Sequence, residues 1–138
     1  MDEKLAMLQQ VPLFAGLGRN ELGLVSRLCD EVDLPAGREM MREGATGNEF
    51  FLILEGNVRV ERDGTVLRTL GPGDYLGEIA LIDHGPRTAS AICETACRLL
   101  VLGHREFHSL LDANAEIRTR ILQTLAARVR HLEPDSTH

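Results

Sequence analysis

Gly73-Asp74-Tyr75-Leu76-Gly77-Glu78-Ile79-Ala80-Leu81-Ile82-Asp83-His84-Gly85-Pro86-Arg87-Thr88-Ala89-Ser90-Ala91 is the stretch whose reading decides this chain. A carboxylate, Glu78, follows a glycine and opens a short apolar turn. Nine residues later Arg87 follows a proline and precedes small residues. An acid suits sugar hydroxyls, and a guanidinium offers a planar fork of donors that matches two phosphate oxygens. Residues 79–82 read as a brief helix, whose first N–H groups and positive dipole end would face the same phosphate. Gly77 permits a tight turn and removes a side chain that would block a sugar. Ala80 and Ala89 are small enough for their backbones to come close to a ligand. This is equipment for holding a phosphorylated nucleoside.

Outward from that stretch, residues 31–102 are β in character. Short β-prone runs at 50–54, 58–62, 66–70, 89–93 and 98–102 alternate with glycine-bearing turns. Glycines at 37, 44, 47, 56, 64, 71 and 73 fall at the spacing of an all-β roll or jelly roll. Asp63-Gly64, between Val58-Arg59-Val60 and Val66-Leu67, is a tight-hairpin signal. Alternation is clearest over residues 58–62, which predicts one buried face and one wet face.

Helical spacing flanks the roll on both sides. Leu5 and Leu8, then Leu22, Val25, Leu28 and Cys29, predict helices over residues 3–10 and 18–30. The link between them contains Pro12 and Gly16 and cannot be continuous helix. After Gly103, Phe107, Leu110 and Leu111 mark a short helix. Ile117, Ile121, Leu122, Leu125, Val129 and Leu132 stripe a longer one that ends before Pro134, with a frayed tail beyond. The order of helices, roll and helices gives an α+β domain. We expect a single domain over 1–138, with a helical lead-in at 1–30, the roll at 31–102 and C-terminal helices at 103–133.

Composition bounds the function. Of 138 residues, 43% are hydrophobic and 26% charged, so the chain reads as soluble and globular. A formal net charge of -6 argues against a general nucleic-acid or membrane binder. No apolar run is long enough for a bilayer and no secretory signal is visible, so a cytoplasmic location is expected. Cys29, Cys93 and Cys97 read as reduced, packed thiols. His104 and His108 are four apart on a predicted helix and read as a solvated face rather than a metal site.

The segment at 73–91 resembles the phosphate-binding cassette of cyclic-nucleotide-binding domains. That family includes the bacterial catabolite activator and the regulatory subunits of cyclic-AMP-dependent protein kinase. The resemblance rests on Gly73-Asp74, Gly77-Glu78, Ala80-Leu81 and the downstream Pro86-Arg87 and Ala89, and it covers nearly the whole chain. One departure is Leu76, where many members have Phe before Gly-Glu. The family layout implies an eight-stranded antiparallel β-roll (a double-stranded β-helix or jelly roll) interrupted by the cassette at 77–89, with two C-terminal helices. It also implies that Glu78 holds the ribose 2′-hydroxyl and Arg87 the phosphate, with Gly77, Ile79, Ala80, Thr88 and Ala89 completing the ligand site. A bare Glu and Arg at this spacing would more often be a structural ion pair; the matching surroundings favour the ligand clamp.

Thr88 leaves the base open. Its hydroxyl suits the guanine of a syn cyclic GMP or the phosphate of cyclic AMP, or it simply starts a strand; cyclic AMP is the preferred ligand. The family further implies that binding moves the C-terminal helices, with Leu81 on the cassette, Phe107 as hinge contact and the last helix as a lid. Three roles stay open for the stripe at Leu122, Leu125, Val129 and Leu132: covering the base, pairing with a second copy, or packing on the roll. Arg118, Arg120, Arg128 and Arg130 read as a solvated face, with Arg128 or Arg130 candidates to stack on a base.

The reading is a regulatory module without catalysis or cofactor. Ser26, Ser90 and Ser109 lack the context of a nucleophile. A cupin-like metal enzyme is the competing class, yet only His84 lies within the β region. A DNA-binding regulator needs a helix-turn-helix after the long helix, for which 138 residues leave no room. As a fragment of a larger regulator, channel or kinase, the chain would reopen that reading. The effector protein is not named by any motif.

Overall fold

A computed structural model describes residues 2–83 and 85–132. His84, whose isolation counted against the cupin reading, and the tail from Pro134 lie outside the described residues. The chain forms two compact units, one spanning residues 27–108 and the other made of the helical residues on either side.

In the first unit, eight strands among the described residues form two antiparallel sheets of four. They are β1 (Asp30–Leu34), β2 (Glu39–Met41), β3 (Glu49–Glu55), β4 (Val58–Arg62), β5 (Thr65–Leu70), β6 (Tyr75–Leu76), β7 (Ser90–Cys93) and β8 (Cys97–Gly103). One sheet runs β1-β8-β3-β6 and the other β2-β7-β4-β5. This is the expected jelly roll. β2 and β6 span only three and two residues, and β1 (Asp-Glu-Val-Asp-Leu) buries no side chain fully, so none of them stands out as an apolar run.

Burial explains the strand order. Phe50, Phe51, Leu52 and Ile53 of β3 are all buried, as a central strand with both faces covered requires. Phe51 stands opposite Val101 of β8 on one side and Leu76 of β6 on the other. On β4, Val58 and Val60 point into the core while Arg59 and Glu61 stay half exposed, the predicted alternation. The core between the sheets joins Phe51, Ile53, Leu76 and Leu99 to Val58, Val60, Ala91 and Cys93. The β4–β5 turn holds Asp63 at φ 52° and Gly64 at φ 77°, the paired left-handed conformation that Asp-Gly supplies in a two-residue hairpin. Cys93 and Cys97 flank the β7–β8 turn as core thiols, outside any disulfide.

The helical unit contains α1 (Glu3–Gln9), a 3-10 turn (Pro12–Phe14), most of α2 (Arg19–Leu28), the end of α3 (His104–Ala113) and α4 (Ala115–Leu132). Asp2 caps α1 by accepting from the Lys4 amide at 2.7 Å, and Asn114 caps α4 by accepting from the Ile117 amide at 3.1 Å. Leu8, Val11, Leu13, Phe14, Ile117 and Ile121 are buried. The apolar stripe of α4 therefore divides. Its first turns are core, whereas Leu122 and Val129 are each 59% exposed and Leu132 is 80% exposed. Arg118 is exposed and Arg120 partly so, and both bond to neighbours on that surface. Arg118 donates to the Leu111 carbonyl, and Arg120 donates to the Gly16 carbonyl and pairs with Glu116 and Glu21.

Candidate functional site

The predicted brief helix is a 3-10 turn, Ile79–Leu81, with Glu78 in helical conformation at its head. Gly77 precedes it at φ +78°, a conformation L side chains rarely adopt. The Ala80 and Leu81 amides donate to the Gly77 and Glu78 carbonyls at 3.0 and 3.2 Å. Those two N–H groups are thus committed within the turn, which corrects the expectation that its first amides all face a phosphate.

Arg87 is fixed by its backbone on both sides. Its N–H donates to the Ala45 carbonyl at 2.7 Å and its carbonyl accepts from the Gly44 amide at 2.8 Å, while Pro86 bridges to Thr46. Its guanidinium donates through Nη2 to the Glu49 carbonyl at 2.6 Å and lies 5.9 Å from the centre of the Phe51 ring. Burial pulls this group below the usual arginine value, with the Glu49 carboxylate acting in the opposite sense. It remains a cation, as guanidinium does in proteins, and one partly stripped of water.

Two glycines make the slot it occupies. A β-carbon on Gly47 would run into the Arg87 side chain from Cδ to Cζ, and one on Gly77 would meet Arg87 Nη1 and the Glu49 carbonyl. Gly77 therefore clears space for the arginine as well as lining the cavity. Glu78 is the buried charged side chain among the described residues, 7% exposed.

A cavity of about 470 Å³ opens beside these residues, and Gly77, Glu78, Ile79, Ala80, Arg87, Thr88 and Ala89 all line it. Its volume falls within the roughly 300–1,000 Å³ of small-molecule sites. All seven residues expected at a ligand site are thus brought to one cavity. Met41, Val60, Arg68, Tyr75, Leu76 and Asp83 add further wall. The sequence reading passed over Gly47 and Glu49. Gly47 was one turn glycine among seven, and Glu49 contributes a backbone carbonyl, which no side-chain motif records. Among the described residues no three His, Cys, Asp or Glu side chains gather in a way that would hold a metal ion. No helix among them is long and apolar enough to cross a membrane.

His104 and His108 are not the solvated face that their spacing suggested. Both are half-buried and bond to the cavity turn, His104 Nδ1 to the Ala80 carbonyl at 2.9 Å and His108 Nε2 to the Leu81 carbonyl at 2.8 Å. Phe107 between them in sequence is fully buried and meets the His108 ring edge-on.

Comparison with known proteins agrees with this fold. The "CRP-like cAMP-activated global transcriptional regulator" of Mycobacterium tuberculosis is 32% identical over 135 residues, covering 94% of this chain and 59% of that protein. The "cGMP-dependent protein kinase, isozyme 2 forms cD5/T2" of Drosophila melanogaster is 36% identical over 121 residues, covering 82% of this chain and 13% of that one. This chain spans less than two thirds of the length of either. Among solved structures, the N-terminal domain of a transcriptional regulator from Streptomyces coelicolor superposes with a TM-score of 0.87 at 32% identity, covering 96% of this chain and 98% of that one. The family profile described as "Cyclic nucleotide-binding domain" matches residues 31–114. The chain belongs to the cyclic nucleotide-binding domain family.

Proposed function

We propose that the cavity binds cyclic AMP, with Arg87 on the cyclic phosphate and Glu78 on the ribose 2′-hydroxyl, and that the bound state is signalled through α3. The observation that carries this is that one buried acid and one half-buried guanidinium line a single cavity. A cyclic phosphodiester bears one negative charge, which one cation can match. The Glu78 carboxylate is repelled by phosphate but accepts from a hydroxyl, so the two residues select opposite sides of the same ring. Each charge-assisted bond contributes about 1.5–3 kcal/mol. Gly77, Ile79, Ala80, Thr88 and Ala89 form the rest of the contact surface, and the protein acts as a sensor rather than an enzyme.

Preference for cyclic AMP is supported by the mycobacterial relative, described as cAMP-activated and aligned over 94% of this chain. Cyclic GMP is the second reading, supported by the Drosophila kinase at 36% identity and by the Thr88 hydroxyl on the cavity wall. Calorimetric titration with cyclic AMP, cyclic GMP and 5′-AMP tests the proposal. Cyclic AMP is expected to bind tightest and 5′-AMP at least about ten-fold more weakly, since the linear ester carries a second charge that a single guanidinium does not match. Equal affinity for 5′-AMP would contradict it, and tighter binding of cyclic GMP would replace the base assignment alone.

A further inference from the structure

We propose that His104 and His108 are positioning residues of the ligand site, two imidazoles that cap the Ile79–Leu81 turn from its carbonyl end and thereby set the affinity of the cavity. The proposal rests on the cyclic-nucleotide reading of that cavity.

The turn's own hydrogen bonds use up its first carbonyls. The carbonyls of Gly77, Glu78 and Ile79 accept from Ala80, Leu81, Ile82 and Asp83 at 2.8–3.2 Å. The Ala80 and Leu81 carbonyls are the next two along the chain, at the end where helical turns leave acceptors over. Those are the two that the histidines take, at 2.9 and 2.8 Å. Ring donors at the last carbonyls are a known way to close such an end. A three-residue turn has little cooperativity of its own, so its geometry depends on such outside bonds.

The i, i+4 spacing on α3 makes the match possible. It stacks the two rings with centroids 4.1 Å apart, side by side against two consecutive carbonyls. The start of α3 is itself anchored, since the His104 amide donates to the Asn48 carbonyl at 2.7 Å. The neighbouring Glu49 carbonyl takes Arg87 Nη2. One short segment, residues 48–49, thus locates both the guanidinium and the helix that holds the turn. Gly77, Glu78 and Ala80 line the cavity from that turn, so releasing its carbonyl end loosens the wall that faces the ligand.

A carbonyl only accepts, so each contacting ring nitrogen must carry a proton. His104 is therefore protonated on Nδ1 and His108 on Nε2, opposite tautomers four residues apart. The diagnostic half is His104, because a neutral histidine without a partner favours the Nε2–H form that His108 also needs.

Nitrogen-15 long-range spectra of the native protein, with cyclic AMP and cyclic GMP titrations of variants, test the proposal. The spectra are expected to show His104 protonated on Nδ1 and His108 on Nε2. His104→Ala and His108→Ala are each expected to weaken nucleotide binding roughly five- to twenty-fold. His104→Asn places an amide donor near Nδ1 and His108→Gln one near Nε2; both are expected to stay within about three-fold of native affinity. Because these two keep volume and donor, they report on the clasp even where an alanine variant folds poorly. Native protein that binds a messenger while either ring shows the opposite tautomer, or while the alanine variants bind as tightly, overturns the clasp alone. Native protein that binds neither messenger overturns the reading of the cavity, and the clasp's role with it.

Discussion

Arg87 passes through a slot that exists because Gly77 has no side chain: a β-carbon at 77 would clash with Arg87 Nη1 and with the Glu49 carbonyl that accepts from Nη2. The same residue sits at φ +78°, so glycine is required twice over, once by backbone conformation and once by the arginine. This relationship ties the Glu78 side of the cavity to the Arg87 side.

Gly77→Ala is accordingly expected to impair both fold and binding. The left-handed conformation alone costs an alanine about 1–2 kcal/mol, and displacing the guanidinium adds to it. Thermal unfolding should move down by several degrees, and cyclic AMP affinity should fall more than ten-fold. A Gly77→Ala protein with native affinity would show that Arg87 does not use this slot.

Arg87→Lys keeps the charge and removes the fork. Lysine cannot bond Glu49 and a phosphate with parallel donors, so affinity is expected to drop roughly ten- to one-hundred-fold while the unfolding temperature changes little. Titration calorimetry and a melting curve on the same sample separate the two effects. Loss of less than about three-fold would remove Arg87 from the phosphate.

Much of this was legible in the sequence because it depends on side-chain identity. Gly77-Glu78, Pro86-Arg87 and the small residues Ala80 and Ala89 mark their own cavity, and Asp63-Gly64 marks its own hairpin. What stayed hidden depends on main chain or on distant neighbours. The Glu49 carbonyl carries no code. Gly47 resembles any turn glycine until Arg87, forty positions on, is seen to lie against it. His104 and His108 have the spacing of an exposed face, and only the returning turn at Ala80 and Leu81 gives them partners. On α4, spacing says which residues share a face, not how deeply each is buried: Ile121 is buried, whereas Leu122 beside it is exposed.

Phe107 is fully buried in the same unit as the cavity turn, with its ring edge against His108. Phe107→Leu should leave nucleotide affinity within a few-fold of native and reduce the ligand-induced change in amide exchange over residues 104–132. Hydrogen exchange with and without cyclic AMP reads this directly. An unchanged response would exclude Phe107 as the relay.

Burial pushes the Cys29 and Cys93 thiols up from 9.0 to about 12, in Cys93 with help from its hydrogen bond to Cys97. The folded state thus holds these protons more tightly than the unfolded chain. Their contribution to stability is complete below pH 9 and fades as pH rises towards 12. At pH 8 both should react with a thiol reagent on the order of a thousand-fold more slowly than in denaturant, because only the thiolate attacks. Rapid modification of either in the folded protein would contradict that placement.

Glu78 and Arg87 are proposed to grip one ribose–phosphate ring, and a thermodynamic cycle at the ribose tests this most directly. Calorimetric affinities are measured for native protein and Glu78→Gln, each with cyclic AMP and with its 2′-deoxy analogue. Removing the hydroxyl or the carboxylate should each cost roughly five- to ten-fold, and removing both should cost no more than removing one. Losses that multiply, or a native protein that does not distinguish the two ligands, would show that Glu78 does not hold the sugar.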